Sequence, residues 1–404
     1  MSLIKWLGVY LFLALSIVRI SYSRVPLYPQ KSTFDHADTQ WAIIGAGPAG
    51  IITVSLLLWL GIKGTDIAWL DPEFNVGRMG QLYTNVPGNL TTAGFIKFIN
   101  ACPIFKEFYS PTIEALLQYD PEKFYELKFF VDPLIDITKH LRTRVFSIQN
   151  KLTSLDFDND IWRIGIEGGV FTAAHVVLAI GSHPRSLDYD NKPEIPLDIA
   201  LDRASLAKQV TVEDSIAVVG SAHSAILLLK FLSELQVARI INFYKKPIVY
   251  AVQADGWVMN QEEGLKGTAA EWAQNVLEKN PPANLIRIFN KPEALKAWLP
   301  ICNKIIYAVG YERNPLPPIN GTLNNITYDD RTGVIAPRLF GIGIAFPEKY
   351  TDPSGHTYHR VGLPFFMEYA LRVIPEWINS KDAAHKDLFS RFAQFEDLFI
   401  IDIL

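Results

Sequence analysis

Apolar residues in this chain fall into two kinds of run. Short continuous stretches end in glycine: Trp41 to Ile44 before Gly45, His175 to Ile180 before Gly181, Ser215 to Val219 before Gly220, and Lys304 to Val309 before Gly310. Continuous rather than alternating apolar character predicts parallel strands buried on both faces, and a glycine at the end permits a turn or the close approach of a ligand. Longer stretches carry apolar residues at spacings of three and four. Ile51 to Leu60, much of Ala93 to Leu141, Ile226 to Leu235, Gly362 to Val373 and Phe389 to Ile403 read as helices. Asp66 to Leu70 and Arg144 to Gln149 are further strands. Leu152 to Phe157, Trp162 to Ile166 and Val170 to Ala174, joined by Asp-Asn-Asp and Gly-Gly turns, predict a small antiparallel meander.

The first strand-to-helix junction carries the clearest chemistry. Gly45, Ala46, Gly47, Pro48, Ala49 and Gly50 form a G-x-G-x-x-G pattern between an apolar strand and an apolar helix. The first glycine permits the turn, the second lets backbone approach a pyrophosphate, and the third lets helix and strand pack closely. Asp71 ends the next strand 21 residues after Gly50, where a carboxylate would accept ribose hydroxyls. A glycine-rich turn that binds nothing is the alternative. The segment Phe74 to Thr92 reads as a loop able to lie along a dinucleotide, with Gln81, Thr84 and Asn85 as its reaching side chains; a plain surface loop is the other reading.

A second β-α-β unit begins at Ser215. Its turn, Gly220-Ser221-Ala222-His223-Ser224-Ala225, replaces two glycines with alanine, and Ala222 would crowd a pyrophosphate. The unit's second strand, Arg239 to Phe243, leads into Tyr244-Lys245-Lys246 in place of an acid, which favours the 2′-phosphate of NADPH over NADH. A unit that keeps its shape but has lost its ligand is the alternative. His223 reads as a helix cap or polar lining. Ala251 to Asn280 is longer than a minimal unit needs and suggests a lid or substrate wall, where Glu262, Glu263 and Lys266 are either functional groups or, as the favoured reading, a solvated charged face. His356 and His359 share a loop without an evident third ligand, so no metal is expected.

Composition narrows the class. The 404 residues allow two or three domains, and 49% apolar with 20% charged content describes a globular protein. A net charge of −4 without a long basic run excludes nucleic acid as the expected partner. Only Cys102 and Cys302 are present, 200 residues apart, so there is no local redox dithiol or cysteine zinc site. At the N-terminus, one lysine, the uncharged run Trp6 to Val18 and Ser21-Tyr22-Ser23 have the layout of a secretory signal. Export or anchoring through an uncleaved segment is expected over a cytoplasmic start. Residues 24–40 read as a linker.

Two nucleotide units, the second inserted into the first, resemble the two-dinucleotide-binding-domain flavoproteins. These form the pyridine nucleotide-disulfide oxidoreductase superfamily, including thioredoxin reductase-like enzymes and flavin-containing monooxygenases. The likeness rests on Gly45 to Gly50 with Asp71, Leu178 to Ser182 followed by Pro184-Arg185, Val219 to Ala225, and Tyr307 to Tyr311 with Asn314. It implies an α/β fold of two Rossmann-like domains with a small β-meander. It implies FAD in residues 41–200 and 303–404, and NAD(P)H in residues 201–302. Gln81, Val145 and Gly181 would join the first turn around FAD. Gly220, Ser221, Ser224, Lys245 and Lys246 would hold the nicotinamide cofactor. The sequence departs from the family in its missing dithiol, in Gly341-Ile342-Gly343 where a Gly-Asp is usual, and in the absent aromatic-glycine-histidine signature of the monooxygenases. Thr84-Asn85 nevertheless resembles the monooxygenase Thr-Asn and makes Asn85 the catalytic candidate. The expected function is an FAD-dependent oxidoreductase that accepts hydride from NADPH and passes electrons to oxygen and a small organic substrate, or to another acceptor. The alternatives are a flavin-binding protein without turnover and a disulfide reductase using Cys102 and Cys302. A homodimer is one expected assembly.

Overall fold

The computed structural model describes residues 38–379, apart from 109, 190–191, 255–256 and 321–326. The N-terminal apolar run and the helix expected over Phe389 to Ile403 lie outside the described residues. Among the described residues, no helix is long and apolar enough to cross a membrane.

Two sheets with parallel cores carry the architecture. In the first, strand Thr39–Ile44 lies between Ile67–Asp71 and Gly169–Leu178, parallel to both. Phe146–Gln149 extends the sheet on one side and Leu339–Gly341 on the other, again in parallel, before Val334–Ala336 closes that edge antiparallel. Side-chain alternation sends Trp41 and Ile43 into one core and Ala42 and Ile44 into another. The first of these cores holds helix Pro48–Trp59, and the second holds Leu155, Trp162 and Ile164 of the hairpin Leu152–Asp158/Ile161–Ile166. Both faces are covered, so the strand is apolar at every position. Helix Pro48–Trp59 is itself covered by helices Lys128–Arg142 and Leu363–Asn379. Its buried Thr53 and Ser55 donate back to the Ala49 and Ile51 carbonyls at 2.8 Å, which satisfies both hydroxyls.

The second sheet has the order Leu285–Phe289, Arg239–Tyr244, Ser215–Val219, Lys304–Tyr307, parallel throughout. Ile216 and Val218 pack against helix His223–Glu234, and Ala217 and Val219 against Cys302 and Tyr307. In each sheet the strand order reverses beside the glycine-ended central strand. That reversal opens a crevice at the carboxyl ends of the strands, where α/β sheets receive ligands.

Two sequence expectations are corrected. Val170 to Ala174 and His175 to Gly181 are parts of one strand, Gly169–Leu178, whose first half pairs antiparallel with Ile161–Ile166 and whose second half joins the parallel sheet. No turn-forming residue separates the halves, so the chain runs on. The loop expected over Phe74 to Thr92 contains helix Gly77–Leu82 and strand Pro87–Thr91, which pairs with Phe124–Glu126. The units are joined by the antiparallel pair Ser182–Pro184 and Tyr311–Arg313, and Val86 of the first unit is buried in the core of the second.

Asp214 ties the base of the second sheet together. Its carboxylate accepts from the Thr211 amide at 2.7 Å, the Lys304 ammonium at 2.8 Å and the Asn303 amide. Burial alone raises this carboxyl, but Lys304, Thr211 and Asn303 outweigh it and hold it down at about 2. A depressed carboxyl contributes stability above its unfolded value, near 4, and loses it as pH falls toward 2. Urea unfolding followed by tryptophan fluorescence should therefore show stability falling through that window. Asp214→Asn should be less stable at pH 7 and converge on the wild type at pH 2. Parallel pH curves for the two proteins would refute the assignment.

Candidate functional site

Three backbone segments meet at the first glycine turn. Gly45 has φ +110°, and a Cβ there would lie 2.3 Å from the Ala179 carbonyl oxygen. A Cβ on Gly50 would lie 2.0 Å from the Gly45 oxygen, whereas a Cβ on Gly47 would meet nothing within 4 Å. Gly45 and Gly50 are thus needed for packing, and Gly47 faces open space. Pro48 opens the helix, where its missing N–H costs nothing. Ala46 and Ala49 are buried. The Asp71 carboxylate accepts the Ala46 amide at 2.7 Å, Glu73 at 2.8 Å and Phe74 at 2.6 Å. Asp71 therefore holds the turn in place, with acceptor capacity left over for a ligand hydroxyl. Gly343, from the segment standing where Gly-Asp is usual, packs on this turn: a Cβ there would lie 2.6 Å from that of Ala49.

The open side of Gly47 looks into a cavity of about 1220 Å³. That exceeds the roughly 300–1,000 Å³ common for small-ligand pockets and suits an extended dinucleotide with a second molecule beside it. Gly45, Gly47, Pro48, Asp71, Gln81 and Gly181 all line it. Gln81 is exposed at its edge, and Gly181 has φ +72° with its neighbour Ile180 held by the Asn314 amide at 2.8 Å. Asn150, Lys151 and Leu152 extend the lining past the strand end. The second unit supplies Ala251, Gln253, Val258, Gln261 and Lys266, so the segment read as a substrate wall does border the cavity.

Other expected residues lie elsewhere. Val145 is buried outside the lining, its amide donating to Leu141 at 3.2 Å. Asn85 is the main correction. It is exposed, outside the cavity, and donates to the Asp202 carboxylate at 2.7 Å. A turn from Tyr83 to Val86 sends Val86 into the second unit's core and turns its neighbour outward. Asn85 therefore ties the units together.

A polar cluster that the sequence reading missed does line the cavity. Arg78 donates to Asp198 at 2.9 Å and to the Ser182 carbonyl at 3.1 Å, Tyr83 donates to the same Asp198, and Tyr311 donates to Tyr83 at 3.3 Å. Burial pushes both phenols above the usual tyrosine range, so both remain protonated. Tyr311 directly follows the recognisable Gly310 junction, a signal that could have found it. Asp198 lies in a linker without periodicity and offers none.

At the second turn, Gly220 has φ +142° and a Cβ there would lie 2.2 Å from the Ala308 oxygen. Asn242 donates to the Val218 and Gly220 carbonyls at 3.0 and 2.9 Å, and Arg287 orients Asn242 from the next strand at 3.0 Å. Ser221 and Ser224 are half-buried there, outside the cavity. His223 does not cap its helix: Ala222 is the N-cap, without a side-chain bond. Lys246 is bonded to Glu263, whereas exposed Lys245 has no ion-pair partner among the described residues. Lys266 is not on a solvated face, as the sequence suggested, but half-buried in the cavity wall. His356 stacks on Tyr358, and His359 faces Asp330 at 3.3 Å. Cys102 and Cys302 belong to separate cores, and burial raises them to about 12 and about 11. They are free buried thiols, unable to form the redox pair that a disulfide reductase needs.

Comparison with known proteins fits this geometry. The sequence profile described as pyridine nucleotide-disulphide oxidoreductase matches residues 39–281. Monooxygenase AgnR1 of Paecilomyces divaricatus is 29% identical over 381 residues, covering 83% of this chain and 97% of its own. A flavin monooxygenase from Stenotrophomonas maltophilia superposes with a TM-score of 0.56 at 12% identity, over 85% of this chain and 99% of that one. A complex of OTEMO with FAD and NADP superposes with a TM-score of 0.51 at 12% identity, over 85% and 98%. At such identities the two structures establish the shared fold.

The glycines make separable predictions. Gly50→Ala forces a carbon into a backbone carbonyl and should cost about 1–3 kcal/mol or more, read as a lower melting temperature. Gly47→Ala should melt within about 1 kcal/mol of the wild type yet lose dinucleotide affinity, read by equilibrium dialysis. Unchanged affinity in Gly47→Ala would refute its place beside the ligand.

Proposed function

Because the chain belongs to the pyridine nucleotide-disulphide oxidoreductase family, we propose that it is an FAD-dependent monooxygenase supplied with hydride by NADPH. The balanced reaction is substrate, O₂, NADPH and a proton giving oxygenated substrate, water and NADP⁺. The observation that carries this reading is the single cavity running from the Gly47 turn to the second unit's Gln253, Gln261 and Lys266. It gives a dinucleotide, a reductant and an organic molecule a common space. Bound FAD would supply the hydride acceptance and oxygen activation that this chain's side chains do not.

The protein's own share is binding, orientation and water exclusion. Gly47 admits a pyrophosphate to the turn, Asp71 fixes the turn and offers an acceptor to ribose, and Gln81 and Gly181 bound the ligand further on. Phe124, Phe365 and Phe366 make much of the remaining wall apolar, which keeps water from the reacting groups. Tyr83 and Tyr311, protonated and fixed through Asp198, present a hydroxyl pair to whatever lies beside them. Buried, widely separated thiols favour oxygen over a disulfide as the electron acceptor. The relative's printed name, a monooxygenase, points the same way.

NADPH preference rests on Lys245, since Lys246 is engaged by Glu263. A charged contact of this kind contributes about 1.5–3 kcal/mol, so Lys245→Ala should weaken NADPH by about tenfold or more and leave NADH unchanged. The deciding measurement is the visible spectrum of the purified chain under anaerobic NADPH and then NADH. A flavin spectrum bleached faster by NADPH, with oxygen consumed once air is admitted, is the expected result. A colourless protein that fails to take up FAD would overturn the proposal.

A further inference from the structure

Lys266 is a half-buried cation in the cavity wall. Among the described residues it forms no ion pair, and its ammonium has one protein acceptor, the Gln261 carbonyl at 2.9 Å. It is half-buried on the cavity wall just before helix Gly267–Trp272, whose first residue packs against Phe124 of the other unit. Burial lowers it to about 8, so it remains largely charged at neutral pH. His223 cannot compensate it: burial and the Lys266 charge hold that imidazole down at about 4, hence neutral. An ammonium withdrawn from water without an ion-pair partner is costly, and among the described residues two of its three N–H donors have no acceptor.

The surroundings say what would complete it. Leu90, Phe124, Val258, Leu363, Phe365 and Phe366 share the cavity with Lys266. A ligand fitting both features has an apolar ring or chain and one anionic oxygen. We propose that Lys266 is the seat for the carboxylate or phenolate of an acidic aromatic or alicyclic substrate, the organic molecule of the oxygenation reaction. The word substrate rests on the monooxygenase reading; the acid-binding site does not. A phosphate of the nicotinamide cofactor is the other source of such an anion. Gly220, Ser221 and Ser224 do not line this cavity, yet the Lys266 charge reaches His223 in the same turn, so the test has to tell the two anions apart.

The test is calorimetric titration of the full chain, as isolated and after incubation with FAD, using benzoate and its neutral isostere benzamide. The wild type should bind benzoate about tenfold or more tightly than benzamide. Lys266→Met should abolish the difference while leaving benzamide and NADP⁺ affinities unchanged, and Lys266→Arg should retain most of it. Thermal melts check that the variants are folded; if Lys266→Met does not fold, the wild-type preference and Lys266→Arg decide. Equal binding of the two probes by the wild type would overturn the proposal. So would a Lys266→Met variant that loses NADP⁺ and keeps benzoate, since that assigns the seat to the cofactor. Benzoate selectivity in a protein that never takes up flavin would retain the acid seat and sink the monooxygenase reading.

Discussion

The close meeting of three backbone segments at Gly45 sets the rest of the molecule. Gly45 is confined by the Ala179 carbonyl on one side, and its own carbonyl is covered by Gly50 on the other. Strand Thr39–Ile44, helix Pro48–Trp59 and strand Gly169–Leu178 can approach one another only because side chains are absent there. The Trp69 indole donates to the Gly45 oxygen at 2.9 Å, so the carbonyl that the glycines bury is not left unpaired. With these elements fixed, the crevice at the strand ends acquires its shape, and Gly47 is left as the position where backbone faces open space.

How much of this could be read from the sequence depends on how local its cause is. The glycine spacing was legible because each glycine answers to a neighbour in the same β-α-β unit. The two sheets were legible because strands covered on both faces carry unbroken apolar runs. Asn85 was misread because its direction depends on Val86, and Val86 enters a core assembled from residues 195–308. Lys266 was misread because Glu262 and Glu263 beside it suggest solvent, whereas its burial follows from a helix that packs across the boundary between units. Asp198 and Asp202 occur in a connecting segment with no pattern of its own. Each bonds to residues of the first unit more than 100 positions away, and Asp202 also caps helix Arg203–Ala207 locally.

Two glycine-turn units survive with their characteristic backbone geometry at Gly45 and Gly220. The thiols that would carry electrons onward as a dithiol are instead packing residues, Cys102 among Phe98, Ile104 and Phe105, and Cys302 against the far face of the second sheet. Their raised values follow from desolvation, which disfavours the thiolate needed for exchange. What lies beside the first turn is a largely apolar space edged by the Tyr83 and Tyr311 phenols and by cations that include Lys97, Lys151 and Lys266. That space suits an organic molecule better than a partner protein's disulfide.

The first sheet's dependence on a late strand also governs how the chain can be made. Leu339–Gly341 completes the parallel sheet, and Leu363–Asn379 covers helix Pro48–Trp59, which is apolar on every side. A ribosome adding roughly 5–20 residues per second needs about 15–60 s to travel from that helix to its cover. During this interval the second unit, whose sheet spans residues 215–307 without interruption, emerges whole. The first unit must wait with its most apolar helix half-clothed. Until residue 363 is made, helix Pro48–Trp59 has only its earlier cover, Lys128–Arg142, and one apolar side stays exposed to solvent.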